Sequence, residues 1–188
     1  METQKKPQVA QKQNDLCDYP QELIDHYWGS INYIFELIKS SEIKAGLILS
    51  FYGILLSFIY KKIEVILIDF SNSIFLYTLI GLWFFTTLIS IYYSFRCFMP
   101  RKETKFKKNI FFFGDIITKF GDVDEFSKTF YNISLDKDQL FDQLGQQIYI
   151  LSKIAAQKFK NVNKSLQFLG LGMLLILISM IYRLILLM

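Results

Sequence analysis

Three uncharged apolar runs, at residues 45–60, 70–95 and 165–182, constrain this chain more than any other feature. None of them contains Asp, Glu, Lys or Arg. A soluble domain of 188 residues lacks an interior large enough to hide all three. A bilayer accommodates them, because about 20 apolar residues at ~1.5 Å rise cross its ~30 Å hydrocarbon core as a helix. The expected fold class is therefore an all-α membrane protein. Its expected parts are an N-terminal amphipathic helix, a two-span hairpin, a small helical cytosolic block, and a long helix running into a third transmembrane span.

Charge orients these parts. Residues 96–108 hold six basic residues and one acid, a net of +5 in a chain whose formal charge is +4, so the remainder sums to −1. Basic residues that flank a span are retained on the cytoplasmic side, and Lys153, Lys158, Lys160 and Lys164 before the third run repeat the signal. The expected topology puts the N-terminus and residues 96–164 in the cytoplasm. The last span then ends outside, with Arg183 within a turn of the boundary, where its stem can snorkel. An interfacial course for the last segment is the alternative, and its 18 uncharged residues favour crossing.

The expected boundaries are a disordered cytosolic tail at 1–19, an amphipathic helix at 20–42, a transmembrane hairpin at 43–95, a cytosolic block with a long helix at 96–164, and a third span at 165–188. The tail is polar and lacks the apolar core of a secretory signal. Pro20 opens a helical pattern in which Leu23, Ile24, Tyr27, Trp28, Ile31, Ile34, Phe35 and Ile38 recur at spacings of three and four. In the first span Gly46, Ser50, Gly53 and Ser57 form a stripe of small residues, which lets helix backbones approach in lipid. That stripe reads either as an internal packing face or as a contact between copies. Asp122, Asp124 and Glu125 cap or charge a short element, and Ser134 is the expected N-cap of a helix from about 135 to 185.

Chemistry-bearing motifs are sparse. Residues 96–164 contain no His, no nucleophile elbow and no Gly-rich phosphate loop, so the chain is not expected to be an enzyme. Cys17 and Cys97 lie on different segments and give neither a disulfide framework nor a zinc spacing; no metal is expected. The basic cluster orients spans and attracts anionic lipid rather than forming a nucleic-acid face. No charge lies mid-span, which argues against a transporter with its own substrate.

Four motifs occur in a fixed order about the spans: Glu42-Ile43-Lys44-Ala45-Gly46, then SFRCFMPR from Ser94 to Arg101, then NIFFFGDI from Asn109 to Ile116, then QQIYILSKIAAQKF from Gln146 to Phe159. In this order the chain resembles the Pycsar membrane effectors, small transmembrane proteins of bacterial anti-phage systems, over residues 20–185. It carries Ile110 where the family motif has Pro, and Asp115 where His is common. The resemblance implies activation by a cyclic pyrimidine mononucleotide, cCMP or cUMP, made by a cognate pyrimidine cyclase. It also implies impairment of the inner membrane as the abortive-infection output; a homo-oligomer assembled through the long helix and the small-residue stripe is the expected partner state. For a phosphate, the cytosolic candidates are Arg101, Lys102, Lys105, Lys153 and Lys158; for a base, Asn109, Phe112 and Phe113. The bland reading of the same residues is span orientation, core filling and helix capping. The alternative function is a non-toxic membrane anchor or adaptor that regulates a soluble partner.

Overall fold

The computed structural model describes the backbone of residues 7–61, 74–99 and 107–187, with side chains from 21 and up to 186. All five elements among the described residues are helices: α1 Pro7–Lys61, α2 Ile74–Phe98, α3 Phe113–Lys119, α4 Val123–Leu135 and α5 Lys137–Leu187. The expected all-α class holds, and α1, α2 and α5 are each long and apolar enough to cross a bilayer. The chain divides into two compact units, residues 1–36 with 102–153, and 37–101 with 154–188.

Two local expectations change. The backbone is already helical at Pro7, so Pro20 lies inside α1 rather than opening it. The stretch before Pro20 carries Gln8, Ala10, Gln11, Lys12, Gln13 and Leu16, all good helix formers, which favours the extension. Ser134 is not the N-cap of α5. It sits in the last turn of α4 with its hydroxyl donating to Phe130 O at 2.8 Å. Asp136 takes the cap instead: its carboxylate accepts from the backbone N–H of Asp138 and Gln139, each at 3.1 Å, and from the Gln139 side chain at 2.6 Å. A carboxylate competes better for these positively polarised N–H groups than a hydroxyl does.

These hydrogen bonds, that from the Gln139 backbone first, hold the Asp136 carboxyl below its usual range. A depressed folded pKa contributes stability that is present above the unfolded value and lost as pH falls through the folded one. Acidification through the carboxylate range is therefore expected to fray the start of α5. The check is amide exchange at Asp138 and Gln139, which should be slower than in Asp136→Ala at neutral pH and converge on it as the pH falls through the carboxylate range.

The unit of residues 37–101 and 154–188 has its polar side inward. The buried face of α2 carries Thr86, Thr87, Ser90 and Ser94 besides Leu76, Trp83 and Cys97. Its outer face carries Phe84, Phe85, Leu88, Tyr92 and Phe95, all exposed. That distribution suits lipid, where apolar side chains face outward and small polar groups hold helices together. Ser165 on α5 is the centre of the polar seam. Its hydroxyl lies 3.0 Å from Ser90 Oγ and 2.7 Å from Ser94 Oγ and donates to Ser90 O at 2.8 Å. Gly172 continues the close approach, since a β-carbon there would lie 3.4 Å from Thr86 Oγ1. Ser165→Ala should cost about 1 kcal/mol, the usual scale for interhelical hydroxyl bonds in membranes. Ser165→Leu should lower the detergent unfolding midpoint much further, because nothing in the seam yields to a larger side chain.

At one end of this unit all three long helices meet. Ala45, Cys97 and Val162 form its small apolar core. Beside it, Lys158 Nζ lies 2.6 Å from Glu42 Oε1 and 2.7 Å from Cys97 O, and Asn161 Nδ2 donates to Arg96 O at 3.3 Å.

The unit of residues 1–36 and 102–153 is held by a different device. Ile31, Ile110, Phe120, Leu144 and Ile150 are its most deeply buried apolar side chains. Trp28, Phe111, Phe130, Phe126 and Phe120 form a chain of ring contacts with centroids 5.4–6.0 Å apart. Gly121, at φ 72°, turns the backbone between α3 and α4 through the left-handed region that disfavours any β-carbon.

Candidate functional site

Asn109 organises residues 107–116 against α5. Its side-chain Nδ2 donates to Gln143 O at 2.7 Å, its Oδ1 accepts from Phe111 N at 2.8 Å, and its backbone N donates to Asp115 Oδ2 at 3.0 Å. Gln143 reciprocates, with its Oε1 accepting from Ile110 N at 3.0 Å. Asp115 is also paired with Lys119 at 2.8 Å. Asn109 and Asp115 are buried, so this network satisfies groups that would otherwise be orphaned.

Held in this way, Lys107 takes part in a cleft of about 750 Å3 lined by Tyr27, Phe141, Asp142, Gly145, Gln146, Tyr149 and Ile150. The Tyr27 and Phe141 rings lie 5.5 Å apart at 35°. Gly145 keeps the α5 wall low, since a β-carbon there would already touch the Tyr27 ring at 3.9 Å. Gln146 Nε2 donates to Asp142 Oδ2 at 2.8 Å. Aromatic faces, one ammonium and an amide–carboxylate pair within a cleft of this size match what a small planar anionic ligand needs. Among the described residues no group of three His, Cys, Asp or Glu side chains is placed to hold a metal ion.

The structure distributes the residues expected from sequence rather than bringing them together. Asn109 is committed on all three of its polar groups and acts as a staple. Phe112 is half-buried and packs over Gly114, where a β-carbon would come within 2.9 Å of its ring. Phe113 is 75% exposed. Lys153 is exposed, on the stretch of α5 belonging to the same unit as the cleft, but it does not line the cleft. Lys158 belongs to the other unit, in the ion pair with Glu42. Arg101, Lys102 and Lys105 lie outside the described residues. Of the small-residue stripe, Gly46 faces Phe98, whereas Ser50, Gly53 and Ser57 are exposed, with nothing within 4 Å of a β-carbon at Gly53.

Tyr27 was legible in the sequence only as a helix-face residue, and sequence reasoning missed Phe141. Their pairing needs α1 and α5 to run side by side, 114 positions apart, which periodicity along one helix cannot report. Lys107 belongs to the basic cluster, and only its position beside the Asn109 staple distinguishes it from its neighbours.

Comparison with known proteins places the chain. Residues 26–185 match the family described as the Pycsar effector protein domain. The chain is 28% identical over 156 residues to the Pycsar effector protein SaPycTM of Staphylococcus aureus, covering 82% of this chain and 92% of that protein. No solved structure matches it. With five-sixths of its residues inside the family match, three membrane-length helices and the expected motif order, this chain belongs to the Pycsar effector family.

Proposed function

We propose that this protein is a membrane effector of bacterial anti-phage defence, switched on by cCMP or cUMP and acting by impairing the inner membrane. The family match over residues 26–185 carries this reading. The unit of residues 1–36 and 102–153 is the sensor, and the cleft of Tyr27, Lys107 and Phe141 receives the nucleotide. The pyrimidine ring stacks against Phe141 or Tyr27, Lys107 neutralises the cyclic phosphate, and Gln146 with Asp142 meets the base edge. Both α1 and α5 contribute residues to each unit, so a ligand that reorders their first halves acts on the helices that also form the membrane unit. Activated copies assemble through the exposed Ser50, Gly53 and Ser57 face. The basic residues after α2 keep the sensor cytoplasmic. No catalytic step is part of this reading; the ligand acts by differential binding to two states.

Calorimetric titration of the full chain in detergent tests the site. cCMP or cUMP should bind, and cAMP should bind more weakly because a purine presents a different hydrogen-bonding edge to Gln146 and Asp142. Lys107→Gln removes one charge-assisted bond and should weaken binding roughly ten- to hundredfold. Phe141→Ala removes a stacking face and should cost about tenfold or more. Gly53→Leu should leave binding unchanged while reducing membrane impairment in cells. Equal affinity in Lys107→Gln and the parent would remove the cleft from the account.

A further inference from the structure

We infer that the junction of Glu42, Cys97 and Lys158 is a clamp that holds the membrane unit in its resting register, so that opening it is enough to release the membrane-damaging output. α2 ends at Phe98, and the carbonyls of its last turn therefore have no partner within the helix. Two donors on α5 reach them instead: Lys158 Nζ lies 2.7 Å from Cys97 O, and Asn161 Nδ2 lies 3.3 Å from Arg96 O. The ammonium also suits the negative end of the α2 dipole. The same Nζ lies 2.6 Å from Glu42 Oε1, so one side chain joins all three membrane-length helices.

The clamp closes in one register only. A slide of α5 by one turn would bring Ile154 or Ala155 to the place of Lys158 in one direction, and Asn161 or Val162 in the other. None of these carries a charge for Glu42. Fixing register is the best-attested use of a largely buried ion pair, and the Lys158 side chain is 11% exposed. The clamp also stands where the unit begins: Glu42, Cys97 and Lys158 lie within five positions of residues 37, 101 and 154, at which the chain passes between the two units. Helices α1 and α5 run unbroken through that divide, so a ligand-driven turn or slide of either one displaces a clamp residue that it carries. The inference rests on the membrane-impairing output proposed above and not on the identity of the nucleotide.

The test expresses the full chain in bacteria that contain no pyrimidine cyclase and follows membrane potential cell by cell with a voltage-sensitive dye. The parent should stay polarised. In Lys158→Met the depolarised fraction should rise roughly tenfold to hundredfold over the parent, the scale of a hydrogen bond to a charged group. Glu42→Gln and Asn161→Ala should raise it less, and Lys158→Arg, which keeps the charge, should stay silent. Leu175→Ala opens a cavity at a buried position of α5 away from the clamp, and as the control for lost stability it should stay silent too. If Lys158→Met fails to accumulate in the membrane, Glu42→Gln and Asn161→Ala decide. Clamp variants that accumulate yet keep the cells polarised would overturn the inference, and so would depolarisation by Leu175→Ala as strong as theirs. A parent that ignores cCMP and cUMP while Lys158→Met depolarises cells would support the clamp and contradict the nucleotide reading.

Discussion

Replacing Asn109 with Ala is expected to destabilise the unit of residues 1–36 and 102–153 more than any other single truncation of a polar side chain. The substitution leaves Phe111 N without its partner and removes the bond to Gln143 O, a carbonyl that also accepts within α5. An orphaned donor costs about 1–3 kcal/mol and the lost bond about 1 kcal/mol, so a total near 3 kcal/mol is expected. Asn109→Asp should be no milder. It keeps an acceptor for Phe111 N but sets a carboxylate oxygen against Gln143 O, in a residue whose own N–H is bonded to the Asp115 carboxylate. The readout is amide exchange across residues 107–135 together with thermal unfolding. Both should report opening of this segment, and nucleotide affinity should fall only in proportion to the unfolded fraction. A stable Asn109→Ala protein that specifically lost nucleotide binding would return Asn109 to the ligand site and contradict the staple role.

The second large effect belongs to Lys158. Its side chain is 11% exposed and holds Glu42 and the Cys97 carbonyl together, which ties α1, α2 and α5 at one end of the membrane unit. Lys158→Met leaves the Glu42 carboxylate unpaired. A fully buried pair broken this way costs 3–5 kcal/mol in general, but Glu42 is 39% exposed and solvent screens part of it, so about 2 kcal/mol is expected. Glu42→Gln combined with Lys158→Met removes both charges and should recover at least half of the loss. Unfolding midpoints of the two single variants and the double variant in one detergent give the coupling directly. Additive losses in the double variant would mean that the two side chains act independently.

Much of this architecture was legible in the sequence, because the constraints behind it are local. The uncharged runs at 45–60 and 165–182, and the described part of the run at 70–95, lie in membrane-length helices, which satisfy their own backbone hydrogen bonds in lipid. The absence of Pro after residue 100 permitted one helix from Lys137 to Leu187. Its start was misplaced by two residues because Ser134 and Asp136 are both good caps, and only the competition between them, decided by charge, selects Asp136. The candidate site was far less legible. Residue type pointed to Asn109, Phe112 and Lys158 as ligand groups, yet their polar atoms and rings are used within the protein itself. The residues that do line the cleft come from α1, the segment after residue 106 and α5. Bringing Tyr27 to Phe141 depends on long-range packing, on which a single sequence carries no signal.

The central claim is that a cyclic pyrimidine nucleotide at the Tyr27–Lys107–Phe141 cleft triggers damage to the membrane. The most direct measurement is membrane potential, followed with a voltage-sensitive dye in bacteria expressing the full chain beside an inducible pyrimidine cyclase. Depolarisation and growth arrest should follow induction of the cyclase and should not follow induction of an adenylate cyclase. They should be lost in Lys107→Gln and Phe141→Ala, although the protein still accumulates in the membrane. Unchanged polarisation at high cCMP and cUMP in cells carrying the parent chain would contradict the account.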